Sequence, residues 1–171
     1  KSDVEVGAAN SPWLVLTEAL QRQNIVLIPI KISQQESIPV NAEGIVIVAP
    51  KYDFEPREIK VLEEYWDRPA SAILAYLDPS SRPVNLRAFF RRHGVSPRND
   101  RIIRTRNGRT ETQVLATFTS GTEINSSLED KSVPFEGRIG SLEVRENAED
   151  LVSNGIQCFS LIESAPGFWG E

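Results

Sequence analysis

Two short stretches hold the side chains best placed to do chemistry. Residues 45–59 read IVIVAPKYDFEPREI: an apolar run of strand length stops at Pro50, and a helix begins a few residues later. Residues 71–81 read SAILAYLDPSS and repeat the arrangement. In open α/β folds, ligands gather at the carboxyl ends of strands. Lys51 and Asp53 in the first junction, and Asp78 and Ser80 in the second, are therefore candidate ligand- or partner-binding residues. Each has a plainer reading. APKYDFEP has no glycine, Pro50 has no N–H, and Tyr52 and Phe54 are bulky, so this junction does not make a phosphate cradle. Asp53 or Glu55 also suits a helix start. Asp-Pro marks a turn, and Ser80 or Ser81 suits the cap of the following helix. No second acid stands near Asp78 at local spacing, so a metal pair is not supported.

Covalent chemistry needs a nucleophile beside a base. The chain has one histidine, His93, and one cysteine, Cys158. His93 falls at the end of a helical pattern, where an imidazole complements the helix dipole. Cys158 lies in the apolar run IQCFSLI and reads as a buried, inert thiol. Neither G-x-S-x-G, G-x-G-x-x-G nor G-x-x-x-x-G-K-[ST] occurs, and GRIG at 137–140 is too short to use. One Cys and one His do not make a zinc site. The expectation is no catalytic residue, no metal and no cofactor.

Charge is more informative. Net charge is −5, which exerts no general pull toward nucleic acid or anionic membrane. Yet residues 82–109 hold nine arginines and one acid, Asp100, so the remainder is distinctly acidic. Arginine suits planar contacts to phosphate or carboxylate. Arg87 and Arg91 are the candidates here, on or near the outer side of a helix whose phenylalanines face inward. With few aromatics free to stack on bases, contact with the chain's own acidic surface or with an acidic partner is favoured over nucleic acid, and no nucleic-acid partner is expected.

The elements that position these residues follow from periodicity. SPWLVLTEALQRQN carries a Ser11 cap, Pro12 at the first turn, and Trp13, Leu16, Ala19 and Leu20 on one stripe. IVLIPIKI then predicts a strand, with Pro29 hinting at an edge. GIVIVAP reads as a strand buried on both faces, and EPREIKVLEEYW as a helix with Ile59, Leu62 and Trp66 inward and Val61 and Tyr65 beside them. SAILAYL is a third strand, and PVNLRAFFRRHGV a helix that Gly94 ends. NG at 107–108 predicts a hairpin with strands around 100–106 and 112–119. TSGTEINSSLEDKS is turn-rich with room for one short helix, SLEVRENAEDLV is mixed, GIQCFSLIES is a late strand, and APGFWGE closes on exposed-looking aromatics. The expected fold is a single α/β domain: a three-layer sandwich around a mostly parallel central sheet, flavodoxin-like, with an antiparallel hairpin extension.

The order GIVIVAPKYDFEPREIKVLEEYW, SAILAYLDPSS, LRAFFRRHGVSPRNDRII, with a closing SLIESAPGFWGE, resembles the extracytoplasmic domain of GldG-like auxiliary components of ABC-type transport systems. The resemblance spans most of the chain, from about residue 10. It departs in the weak first segment KSDVEV and in WDRPAS, where a glycine-rich turn is usual. It implies a flavodoxin- or glutamine-amidotransferase-like domain without catalytic residues. The implied role is a non-enzymatic accessory domain of a transport system, gliding-motility systems among them. Its implied partners are permease or ATPase subunits or other envelope proteins. The chain begins at Lys1 and has no methionine. With no span of its own, it is expected to be a piece of a longer protein, held on the periplasmic face of the inner membrane by segments outside it. Two other readings stand: an amidotransferase- or flavodoxin-like enzyme, and an anion-binding module using the arginine-rich segment.

Overall fold

The computed structural model describes residues 12–171, side chains 12–16 excepted. These residues form two units divided between Leu77 and Asp78. In the first, helix α1 (Pro12–Gln21) opens on proline. Its Ser11 cap and the side chains of Trp13 and Leu16 fall outside the described residues; Ala19, assigned to the buried stripe, is exposed.

Residues 25–32, expected as a strand, have irregular backbone that runs into a 3-10 turn at Ile32–Gln34, and Ile25, Val26, Ile28 and Ile30 are exposed. Pro29 removes one ladder donor, and β-branched residues alone do not make a strand without a neighbour to pair with. Strand β1 (Ile45–Val48) and strand β2 (Ile73–Tyr76) pair in parallel, Ile45 against Ile73 through Val48 against Tyr76. Helix α2 (Pro56–Trp66) is their crossover. Proline suits its first turn, and the Glu58 carboxylate accepts the Glu55 N–H at 2.8 Å. Ile59, Val61, Leu62 and Tyr65 are buried, whereas Trp66 turns outward. Ile38, Val61 and Tyr65 centre the core, with Ile32, Ala42, Ile45 and Ile73 against them. Arg68 locks the loop over this core. Its guanidinium donates to the carbonyls of Ile38 (2.7 Å) and Pro39 (3.1 Å) and lies 5.4 Å over the Tyr65 ring.

The expected three-layer, flavodoxin-like sandwich is not formed. Among the described residues β1–β2 is the only parallel pair, and the remaining sheets are small and antiparallel. The open face of β1–β2 shows why. Val46, Leu74 and Tyr76 are exposed, so runs that read as buried on both faces are covered on one.

The second unit begins with helix α3 (Val84–Arg92), which buries Leu86 and Phe89. It ends as expected at Gly94, whose φ is +86°. A Cβ there would also meet Leu151 Cδ1 at 2.6 Å and the Cys158 sulfur, so this glycine provides close approach as well as a turn. Strand β3 (Val95–Pro97) leads to strand β4 (Ile102–Arg106). Asn107 and Gly108, at φ +51° and +72°, then make the two-residue turn into strand β5 (Arg109–Glu111). The hairpin is present, but its second strand stops at Glu111.

Strand β6 (Val114–Phe118) instead lies between strand β7 (Ser132–Phe135) and strand β9 (Ile162–Ser164). Strand β8 (Leu142–Val144) pairs with β3, a short helix α4 (Glu149–Val152) follows, and strand β10 (Trp169–Gly170) pairs with β4. Of the expected late strand GIQCFSLIES only the last three residues, Ile162–Ser164, are strand, and Glu123–Asn125 is the short helix of the turn-rich stretch, in 3-10 form.

Candidate functional site

The candidate residues separate by what they already hold. Lys51 and Asp53 are exposed in the turn after β1, where Asp53 Oδ1 accepts the Phe54 N–H at 2.9 Å. Asp78 Oδ1 accepts the Ser80 N–H at 2.8 Å and the Ser80 hydroxyl at 2.6 Å. This is an Asx turn: the two residues meet, and each occupies the other. The Ser80 hydroxyl and N–H, with Arg138 nearby, hold the Asp78 carboxyl below its usual value against a small opposing push from burial.

Arg87 clamps its own neighbourhood. It donates to the Asn99 side chain and to the Pro97 carbonyl, fixing the exit of β3 against α3. Arg91 is exposed on the same helix.

His93 and Cys158 do come close, though through backbone. The thiol donates to the His93 carbonyl at 3.3 Å. The imidazole Nδ1 donates to the Phe89 carbonyl at 2.8 Å, and the ring lies 4.6 Å from that of Phe89. Burial pushes the thiol pKa up, Arg145 opposes it and Glu146 adds to it. The arrangement favours the protonated, poorly nucleophilic form.

Within the arginine-rich segment, Arg98 pairs with Glu143 at 3.0 Å, both well exposed. Arg104 pairs with Glu111 directly across the hairpin, donating from Nε at 2.9 Å and Nη2 at 2.5 Å to one oxygen. Its guanidinium also lies 4.5 Å over the Phe168 ring, so aromatic and carboxylate fix it in place. One step toward the tip, Arg106 stands directly opposite Arg109. Both are exposed, and neither makes an ion pair among the described residues. Side chains alternate along a strand, so Arg104, Arg106, Arg109 and Glu111 share one face, three cations against one anion.

At the foot of that face is a cavity of about 420 Å³ lined by Arg104, Glu111, Thr112, Gln113, Leu115 and Pro134. Leu115 and Pro134 are opposite each other on β6 and β7. Val114 and Ala116 point into the core, which leaves Leu115, 42% exposed, on the outer face. Gln113 Nε2 donates to Glu136 at the margin, 3.1 Å. The arginine excess is legible in the sequence; this cavity is not. Its walls come from strands whose pairing the sequence does not spell out. The usable signal was NG flanked by Arg on both sides, which places two like charges in register.

Among the described residues no group of three or more His, Cys, Asp or Glu side chains is disposed to hold a metal ion, and no helix is long and apolar enough to cross a membrane. Compared with protein-family models, curated proteins and solved structures, the chain finds no match.

Proposed function

We propose that this chain is a non-enzymatic binding module that engages a protein partner through the arginine-bearing face of the β4–β5 hairpin. One observation carries the reading. Arg106 and Arg109 are held side by side at an exposed hairpin tip, and like charges directly opposite on a sheet work against folding. A partner's carboxylates turn that cost into attraction, in the bidentate geometry that guanidinium favours. The second role, as an accessory domain of a membrane transport assembly, is supported by the order of motifs over residues 44–103 and the closing SLIESAPGFWGE; the mostly parallel, flavodoxin-like sheet that goes with that resemblance is absent from the described residues.

The test is binding of the whole chain to poly-L-glutamate, followed by fluorescence anisotropy across a salt series. Saturable binding that weakens with salt and is lost in the Arg106→Ala, Arg109→Ala double variant is the expected result. No binding at low salt overturns the module reading. A neighbouring ATPase gene and permease gene are the expected surroundings for the transport role.

A further inference from the structure

Arg104 belongs to two features at once. It is the inner rung of the arginine face and a wall of the 420 Å³ cavity. The outer rung, Arg106 with Arg109, lies two residues farther along the strands, about 7 Å. A ligand held by the outer rung therefore reaches the cavity within two or three residues of extended chain.

The two rungs ask for different chemistry. Arg106 and Arg109 have no anion of their own among the described residues and take a carboxylate. Arg104 is already satisfied by Glu111 on one side and Phe168 on another. A carboxylate entering the cavity meets Glu111 as a like charge. A neutral side chain meets Leu115 and Pro134, whose apolar surfaces have no cover, while Thr112 and Gln113 offer polar groups to a passing backbone. The volume is within the range of ordinary ligand sites, far above what a single side chain needs.

We propose that the hairpin face and cavity together bind an extended acidic peptide segment bearing an apolar side chain two or three residues from its carboxylates, the acids on Arg106 and Arg109 and the apolar group against Leu115 and Pro134. This rests on the module reading above and adds the partner's pattern to it. Nucleic acid fits less well. The flanking Glu111 and Glu136 are of its own sign, and Phe168, the aromatic on this face, is covered by Arg104.

The experiment titrates the whole chain into three fluorescein-labelled probes. These are the peptide Glu-Glu-Ser-Leu-Ser, the same peptide with Ala for Leu, and a short DNA duplex. Leu is expected to strengthen binding about tenfold over Ala. Leu115→Gln, at a solvent-facing position, is expected to erase that difference between the Leu and Ala peptides. Arg106→Glu is expected to weaken both peptides. Equal affinity for the Leu and Ala peptides overturns the pattern while the module reading stands. Failure of both peptides and of poly-L-glutamate overturns both. DNA binding more tightly than either peptide overturns the choice of partner.

Discussion

Arg106 and Arg109 face each other across the Asn107-Gly108 turn, and two residues inward Arg104 faces Glu111. The outer pair repels where the inner pair attracts. Adjacent rungs of one hairpin thus separate a stabilising role from one that opposes stability, and this predicts opposite signs for two measurements on one variant. Arg109→Glu replaces a like pair with an opposite pair and is expected to stabilise the hairpin by about 0.2–1 kcal/mol. The same change is expected to abolish binding to poly-L-glutamate. Thermal denaturation reads the first and anisotropy the second. A variant that loses stability along with binding would show that Arg109 serves the fold.

The elements legible in the sequence were those fixed by local chemistry. Pro56 and Glu58 start α2, Gly94 stops α3, and Asn107-Gly108 turns the hairpin, each through interactions within a few residues. Which strands pair is a non-local matter, and there the reading failed. IVIV and ILAY do pair in parallel, but nothing in their composition shows that, among the described residues, the sheet ends with them. Val114–Phe118 reads equally well as a hairpin arm or as the middle of a sheet, and it is the middle of a sheet. The site shows the same division. The excess of arginine was plain, whereas Arg87 is spent on Asn99 and Pro97, contacts that depend on where α3 comes to rest.

Asp100 is the acid within the arginine-rich segment, and it binds Ser141 rather than an arginine. Its carboxylate accepts the Ser141 N–H at 2.8 Å and the hydroxyl at 2.5 Å. Burial pushes its pKa up, but those two bonds, its own N–H and Arg98 together outweigh burial and hold it below the usual value. With the folded value depressed, the stabilisation is complete above the unfolded pKa of about 3.9 and is lost as pH falls through the folded value. Asp100→Asn is therefore expected to lose about 1 kcal/mol at pH 7 and to show a shallower loss of stability below pH ~4 than the parent chain. Gly170→Ala is expected to be worse. A Cβ there falls on the Asp100 carboxyl, 2.8 Å from Cγ, and displaces β10 from Ile102. Denaturant midpoints across pH check both, and a parallel pH profile for Asp100→Asn would rule out the carboxylate as the cause.

The Cys158 thiol tests the enzyme alternative directly. It donates to the His93 carbonyl, with its pKa raised by burial. It is expected to react with an aromatic disulfide reagent at neutral pH more slowly than a small free thiol, and to speed up once the chain is denatured. Because the folded value is raised, any stability linked to the thiol is present below its unfolded pKa of about 8.5 and fades as pH rises through the folded value. A thiol that reacts faster in the folded chain than in the denatured one would reopen the case for a nucleophile.

Asn125 is a buried polar residue on which two separate turns depend. Its side-chain amide donates to the Thr119 carbonyl at 2.9 Å and to the Leu161 carbonyl at 2.7 Å, bridging the ends of β6 and the approach to β9. Asn125→Ala removes both bonds: the Leu161 carbonyl keeps the Thr119 N–H at 3.1 Å, the Thr119 carbonyl loses the amide donor, and the change is expected to cost about 1–3 kcal/mol. Asn125→Asp makes a sharper test. At neutral pH it sets a carboxylate against two carbonyl oxygens with no donor to offer, so it is expected to cost more than alanine. Its folded pKa then rises above the unfolded value of about 3.9, and the variant is expected to recover part of the loss as pH drops toward 4, where the acid becomes a donor again. The parent chain moves the other way over the same range, because Asp78 and Asp100 lose their bonds as they protonate. Subtracting the parent's pH profile from that of Asn125→Asp isolates the one carboxyl. A flat difference would mean that the amide does not bridge the two turns.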